Sequence, residues 1–237
     1  ELTALGFTGS YNRVAAFARE WRSDRQHEQQ TTGRGTFVPL AFRPGEAFQF
    51  DWSEDYAILG GERTKLQVAH IKLAHSRAFL VRAYLLQTHE MLFDAHWHGF
   101  RVLGGVPARG IYDNMRTAVD RVGRGKERQV NARFLAMTNH YVFEPQFCNP
   151  ASGWEKGQVE KNVQDARRRV WPAVPQHFKH LDELNAWLEE RCKALWQALP
   201  HPEQRQRRIA EVLQDELPAL MPVPVPFDGF IEQTKRV

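Results

Sequence analysis

Residues 78–86, with the sequence AFLVRAYLL, form an almost continuously apolar run of strand length. Apolar side chains on both faces are typical of a strand that helices cover on both sides. Two segments before it also have strand character: Phe48–Trp52 alternates apolar and polar side chains, and Leu66–Ala74 has the length of a second strand. Three strands in close succession predict an antiparallel meander within a layered α/β domain.

The later segments alternate between helices and short strands. Residues 89–103 repeat apolar side chains at helical spacing, and Gly104, Gly105 and Pro107 end that helix. The remaining predicted elements are a strand at 110–113, a hairpin turn at 123–126, a helix capped by Asn131 that ends near Tyr141, an edge strand at 142–147 containing Pro145, a long helix from Gly153 to Pro172, a helix at about 181–199 and a short helix after Arg208. This order predicts an α/β fold with a mixed five-stranded sheet flanked by helices. The ribonuclease H-like fold has this order and is one option among several.

The chain divides into five predicted regions. The helix at 8–22 follows two glycines, which fits the end of a helix-turn-helix and equally fits a surface helix packed on the main domain. The regions are the end of a helix-turn-helix DNA-binding domain at 1–32, a linker at 33–46, the core at 47–175, C-terminal helices at 176–217, and a proline-rich linker at 218–237 that leads into a truncated C-terminal domain.

Composition excludes membrane-spanning, disordered and disulfide-rich classes. Hydrophobic residues make up 42% and charged residues 25% of the 237 residues, which is ordinary for a globular protein. No apolar run approaches the roughly 20 residues that cross a bilayer. Cys148 and Cys192 lie far apart without a zinc-binding pattern and fit a reducing cytoplasm. The chain begins at Glu1 without a signal-peptide pattern, so we expect a cytoplasmic piece of a longer protein.

Basic residues cluster within one short segment. Residues 115–133 carry a net charge of +4, as much as the whole chain. Such a local excess, with a sequence pI near 9.2, indicates a polyanionic partner. A solvated charged hairpin explains the same charges equally well.

Three acids occupy positions that the predicted sheet would bring together. Asp51 lies mid-strand on the face opposite Phe50 and Trp52, and Asp113 ends a short strand, where open α/β sheets hold ligands. Glu160 flanks the apolar stripe of the long helix, which consists of Val159, Val163, Ala166 and Val170. Converging carboxylates repel one another unless a cation binds, and oxygen-only ligands suit Mg²⁺ or Mn²⁺.

The number of acids leaves this assignment open on spacing alone. The chain has 28 acidic residues, so three at convenient places arise easily by chance. The competing acids are Glu54 and Asp55 for the first position, Asp120 for the second, and Glu155 and Asp165 for the third.

Four short sequence motifs resemble those of the IstA-type transposases of bacterial insertion sequences, which belong to the DDE transposase and retroviral integrase superfamily. The matching motifs, in chain order, are Gly9-Ser10-Tyr11, Phe50-Asp51-Trp52, Tyr112-Asp113-Asn114-Met115 with Thr117-Ala118-Val119, and Gly153-Trp154-Glu155-Lys156-Gly157-Gln158-Val159-Glu160. The resemblance runs from about Gly6 to at least Leu199. Trp154 departs from the smaller or polar residue expected in the glutamate segment.

The resemblance implies a ribonuclease H-like catalytic core in which Asp51, Asp113 and Glu160 hold two Mg²⁺ ions, with Mn²⁺ as a substitute. It implies 3′-end cleavage by water and strand transfer by the freed 3′-hydroxyl. The implied partners are transposon-end and target DNA, a second and further copies of the chain in a dimer or tetramer, and an AAA+ helper ATPase. The sequence contains no GxxxxGK[ST] motif, so ATP use would belong to that partner. The implied location is the cytoplasm, at the nucleoid.

Basic and aromatic residues in or near these motifs are predicted to contact DNA. Lys156 and Arg167 share the helix face of Glu160 and can reach phosphates, although i,i+4 charge pairing explains Lys156 as well. The other predicted DNA contacts are Arg168, Arg116, Arg124, Lys126, Arg128, Tyr11 and Arg13. Two further functions stay open: a nuclease of the same fold without joining activity, and a catalytically idle DNA-binding or assembly protein.

Overall fold

The structure is a computed structural model that describes residues 42–112, 119–122, 128–147, 169–175 and 177–229. Its strands are β1 (Ala47–Leu59), β2 (Glu62–Leu73), β3 (Phe79–Tyr84), β4 (Arg109–Tyr112), β5 (Val119–Val122), β6 (Arg128–Val130) and β7 (Glu144–Phe147). Its α-helices are α1 (His89–Leu103), α2 (Ala132–Tyr141), α3 (Leu181–Ala198) and α4 (Ile209–Glu216). Two short 3-10 turns occupy Trp171–Ala173 and Leu217–Ala219.

Five strands form one mixed sheet in the order β3-β2-β1-β4-β7. The first three strands are an antiparallel meander, and β4 and β7 run parallel to β1. The predicted meander, the mixed five-stranded sheet and the edge position of the strand containing Pro145 are therefore confirmed. Strands β5 and β6 pair antiparallel in a separate two-stranded sheet, as predicted for the flanks of the basic turn.

The hairpin of β1 and β2 is longer than its neighbours. Its register runs from Phe48 opposite Leu73 to Leu59 opposite Glu62. Strand β3 pairs only with residues 67–72, and β4 pairs only with residues 47–50. The distal half of the hairpin therefore extends beyond the rest of the sheet. The sequence predicted only 48–52 as the first strand, because residues 53–59 lack apolar alternation and owe their strand form to cross-strand pairing.

Helices cover both faces of β3, as its apolar sequence predicts. On one face Arg82 and Tyr84 bond to Asp94 of α1. On the other face α3 packs against the strand, and the indole N–H of Trp196 donates to the Phe79 carbonyl at 2.9 Å. The sheet, α1, α2, α3 and α4 contribute to one hydrophobic core.

The free edge of β3 is closed by a helix side chain. The Ala83 N–H donates to Asn185 Oδ1 at 2.7 Å, and Asn185 Nδ2 donates to the Ala83 carbonyl at 3.0 Å. The buried amide of Asn185 thus replaces the strand partner that Ala83 lacks. Pairing an edge strand in this way protects it from association with other chains.

The helix boundaries follow the capping residues that the sequence supplies. The side chain of Asn131 accepts the N–H groups of Arg133 and Phe134, which confirms it as the N-cap of α2. Thr88 caps the start of α1, and Gly104 ends it in the left-handed conformation at φ 89°. Glycine adopts this backbone conformation without the strain that a Cβ atom would add.

The C-terminal segment returns to the main body after α4. Val106 and Met221 exchange two backbone hydrogen bonds of 2.9 Å each, and the ring of Phe227 packs edge-on against Phe93 at 5.0 Å. Within the described ranges, no helix has the length and apolar character needed to cross a membrane. The predicted helix at 8–22 and residues 153–168 of the predicted long helix lie outside those ranges.

Candidate active site

Asp51 lies within β1, one residue beyond the part of the strand that pairs with β4. Its cross-strand neighbour is His70, and directly opposed residues of paired strands project from the same face. The Trp52 N–H donates to Asp51 Oδ1 at 2.8 Å, which orients the carboxylate. His70 Nε2 lies 2.7 Å from Ser53 Oγ, so a polar group of three side chains occupies this face of the hairpin.

The opposite face of β1 is an aromatic cluster that fixes the strand. Phe48 and Phe50 are buried, and Phe50 stacks on the His96 ring with centroids 4.6 Å apart. Phe48 also meets Phe100 and Phe143 edge-on, each at 5.2 Å. Burial of these rings stabilises β1 by several kcal/mol, with about 1.5–3 kcal/mol for each large apolar side chain. Asp51 therefore projects from a rigid strand.

His96 joins α1 to the end of β4. Its Nδ1 lies 2.7 Å from the Leu92 carbonyl, and its Nε2 lies 2.8 Å from the Tyr112 hydroxyl. A carbonyl only accepts, so Nδ1 carries the proton and Nε2 accepts from the phenol. Burial lowers the pKa of His96 to about 4 and raises the pKa of Tyr112 well above its usual value. Both rings are therefore neutral at pH 7.

The neutral state of His96 makes folding sensitive to mild acid. The unfolded imidazole binds a proton below about pH 6.5, whereas the folded one resists protonation until about pH 4. Stability should therefore fall as the pH drops through this window, by about 2 kcal/mol between pH 7.5 and 5.0. We expect this loss in urea unfolding curves of the wild type. His96→Gln should flatten the pH dependence, whereas the exposed control His177→Gln should keep the wild-type slope.

A second polar network lies beside the aromatic cluster. Asp94 Oδ2 accepts from the Tyr84 hydroxyl at 2.6 Å and from Arg82 Nε at 3.1 Å. Burial opposes ionisation of Asp94, but hydrogen bonds from His98 and Tyr84 and the charge of Arg82 bring its pKa down to about 2. The Tyr84 ring meets Trp52 edge-on at 5.8 Å, so this network supports the residue that follows Asp51.

The structure places one of the three predicted acids. Asp51 is within the described ranges, and Asp113 and Glu160 lie outside them. Of the predicted DNA contacts only Arg128 is described, in β6. The others, which lie outside the described ranges, are Tyr11, Arg13, Arg116, Arg124, Lys126, Lys156, Arg167 and Arg168. Among the residues that the structure does describe, no group of three His, Cys, Asp or Glu side chains could hold a metal ion.

The end of β4 lies beside the part of β1 that leads into Asp51. Tyr112, the last described residue of this strand, pairs with Phe50 in parallel register. Val170, the last member of the apolar stripe predicted for the long helix, is fully buried in the core. The contacts of His70 and His96 with β1 were not predictable from the sequence, because they depend on pairing register and helix packing.

The chain is similar over its whole length to transposases of insertion sequences. It is 73% identical to a transposase of Aminobacter aminovorans and 64% identical to the transposase for insertion sequences IS1326/IS1353 of Pseudomonas aeruginosa, over 237 residues in each case. Over 219 residues it is 28% identical to the transposase for insertion sequence element IS21 of Pseudomonas aeruginosa. The chain covers 46% of each of the first two relatives and 54% of the third, so it spans about half their length. No protein-family model matches the chain.

Solved structures with a similar fold come from retroviral integrases. The HTLV-2 integrase catalytic core domain in complex with magnesium matches with a TM-score of 0.51 at 14% identity, covering 73% of this chain and 98% of that chain. A chain of the simian T-cell lymphotropic virus intasome matches with a TM-score of 0.55 at 13% identity, covering 81% of this chain and 61% of that chain. The fold is the ribonuclease H-like fold of integrase catalytic cores. Within that class, the chain is a homologue of insertion-sequence transposases.

Proposed function

We propose that the chain is the catalytic core of an IstA-type DDE transposase. It cuts the 3′ ends of an insertion sequence with water and joins them to target DNA by attack of the freed 3′-hydroxyl. One observation carries the proposal. Asp51 lies in β1 directly after Phe50, which pairs with the end of β4, and the sequence continues from β4 into Asp113. This arrangement occurs in a homologue of transposases.

Covalent geometry supports the pairing of the first two acids. Phe50 and Tyr112 are paired across neighbouring strands, whose spacing is about 4.8 Å. Consecutive Cα atoms lie 3.8 Å apart, and Asp113 directly follows Tyr112 in the sequence. Glu160 would join them from the long helix that the sequence predicts from Gly153 to Pro172.

The donor set of the three acids fits magnesium. Carboxylate oxygens are the ligands that Mg²⁺ and Mn²⁺ prefer, and the Trp52 N–H holds the Asp51 carboxylate in a fixed orientation. Two such ions, when bound, supply activation of the attacking oxygen and stabilisation of the leaving oxygen of a phosphodiester. The integrase core with the similar fold was solved in complex with magnesium, which is consistent with this choice.

The protein's own residues position the substrate in this proposal. Lys156, Arg167 and Arg168 would hold phosphates near the acids. The remaining DNA contacts would come from the basic hairpin and the N-terminal helix, through Arg116, Arg124, Lys126, Arg128, Tyr11 and Arg13. Two element ends must be held together, so the working form would be a dimer or tetramer on DNA, assisted by an AAA+ ATPase, in the cytoplasm at the nucleoid.

A metal-dependence assay on the wild-type protein tests the proposal. With pre-cut element ends and a supercoiled target, we expect joined products in Mg²⁺ or Mn²⁺ and none after chelation by EDTA, because the carboxylates alone do not activate a hydroxyl. Products are separated on a denaturing gel.

The same assay distinguishes the two other functions. Cleaved but unjoined DNA would indicate a nuclease of the same fold. Binding without cleavage or joining in any divalent metal would indicate a catalytically idle DNA-binding or assembly protein. Either result would overturn the transposase assignment.

A further inference from the structure

The distal half of the β1–β2 hairpin carries an unusual arrangement of cations. Tyr56 lies opposite Lys65 and Ile58 lies opposite Arg63, so these four residues share one face of the hairpin. The Arg63 guanidinium lies over the Tyr56 ring, 4.0 Å from its centroid, and the tyrosine is 46% exposed. Stacking on the ring fixes the plane of the guanidinium without using its N–H donors.

Arg63 forms no ion pair with any described residue, whereas six other arginines of the described ranges do. The pairs are Arg77 with Glu203, Arg82 with Asp94, Arg101 with Glu189, Arg109 with Glu46, Arg133 with Glu90, and Arg207 with Asp215. Arg63 is also exposed, so its guanidinium can bind an external anion.

A second segment adds cations beside the hairpin. The Gly60 N–H donates to the Phe178 carbonyl at 2.8 Å, and the Phe178 N–H donates to the Ile58 carbonyl at 3.1 Å. This pairing holds Lys179 next to the hairpin turn. The indole N–H of Trp171 donates to the Tyr56 carbonyl at 3.3 Å, which holds the preceding segment against the same strand.

Two further arginines belong to this end of the molecule. Arg191 Nη2 donates to the backbone carbonyl of Arg169, two residues before Trp171. Arg169 is exposed, and neither side chain forms an ion pair with a described residue. We call the group of Tyr56, Arg63, Arg169, Lys179 and Arg191 the cationic end.

Acids also lie near the cationic end. Lys65 pairs with Glu54 at 2.8 Å, and a Glu183 carboxylate oxygen accepts the Lys179 backbone N–H at 2.7 Å. Among the described residues, Asp55, Glu62 and Asp182 are the other acids near these cations in the sequence. A contact with a polyanion therefore depends on the exposed side chains of Arg63 and Lys179 rather than on the net charge of the region.

We propose that the cationic end binds the phosphate backbone of DNA, with Arg63 making a planar contact to one phosphate. The proposal rests on the transposase function and adds a DNA surface separate from the acidic site and from the basic 115–133 segment. Five residues of extended strand, about 17 Å, separate Asp51 from Tyr56. Tyr56 projects from the face of β1 opposite Asp51, so the cationic end is a surface distinct from the one that carries the predicted acids.

Salt-dependent DNA binding tests the surface. We expect Arg63→Ala to weaken binding of a duplex of about 30 base pairs roughly fivefold, and to reduce the slope of log K against log salt concentration by about 1. The double variant with Lys179→Ala should reduce the slope by about 2. Arg63→Lys keeps the charge and should keep the slope. Fluorescence anisotropy between low and physiological salt measures both quantities.

Arg205 provides a matched control at the other end of the sheet. It is exposed, forms no ion pair with a described residue, and lies in the loop tied to the β2–β3 turn by the Arg77–Glu203 pair. The length of β2, about 40 Å, separates it from the cationic end. Arg205→Ala should bind DNA as the wild type does.

The outcomes separate this proposal from the transposase assignment. If Arg63→Ala binds DNA as tightly as the wild type and Arg205→Ala do, the cationic end is not a DNA surface, whatever the cleavage result. Arg63→Ala should still cleave and join at saturating DNA, since it leaves the acids intact. Loss of cleavage and joining at saturating DNA would contradict a role limited to binding. An Asp51→Asn protein that joins DNA like the wild type would remove Asp51 from the catalytic site without affecting the binding slopes.

Discussion

The Asp51→Asn protein is expected to bind DNA normally and to lose cleavage and strand transfer by a factor on the order of 10³ or more. Asparagine has the shape of aspartate and keeps an oxygen that accepts the Trp52 N–H, so the strand should fold unchanged. It lacks the negative charge that a divalent cation requires. Strand transfer of pre-cut ends, measured with saturating DNA, isolates this effect from binding.

The neighbouring Glu54 is the matched control for this substitution. It is an acid of the same strand, lies on the other face, and its exposed carboxylate pairs with Lys65. Glu54→Gln should retain strand transfer within a factor of about two, because an exposed ion pair contributes little. Asp113→Asn and Glu160→Gln should match Asp51→Asn. Full activity in any of the three acid variants would remove that residue from the catalytic site.

The elements with strong periodicity were predictable from the sequence. Helix α1 occupies the predicted 89–103, and α3 ends one residue before the predicted Leu199. The apolar run at 78–86 became the doubly covered strand β3. In these segments the same apolar side chains that define the period also form the core, so local pattern and tertiary packing agree.

Features that depend on long-range pairing were not predictable. The amide of Asn185 bonds to the edge of β3, 102 residues earlier in the chain, and no local pattern distinguishes it from a surface asparagine. The Tyr56–Arg63 stack likewise requires the register of the hairpin beyond residue 52. Asp51 is predicted as a catalytic residue from its neighbouring residues rather than from its spacing to other acids, because 28 acids allow many spacings.

Glu216 is the clearest example of a residue whose role depends on long-range contacts, and its substitution should destabilise the protein strongly. Its buried carboxyl group accepts the Gly45 N–H through Oε1 and the Ser76 N–H through Oε2, each at 2.9 Å. These bonds tie α4 to the start of β1 and to the β2–β3 turn. Gly45 has φ +70°, and a Cβ atom there would meet the Ala219 carbonyl oxygen at 2.3 Å, so the chain segments approach closely.

Glu216→Ala would leave two buried N–H groups without acceptors, and each such loss costs about 1–3 kcal/mol. With the cavity that forms, we expect the free energy of unfolding to fall by roughly 3–5 kcal/mol, measured by urea denaturation at pH 7.5. Glu216→Gln keeps one acceptor oxygen and should lose about half as much. The adjacent Asp215 is exposed and pairs only with Arg207 among the described residues, so Asp215→Asn should cost less than about 1 kcal/mol. Equal losses at positions 215 and 216 would show that the two backbone bonds do not hold α4 to the sheet.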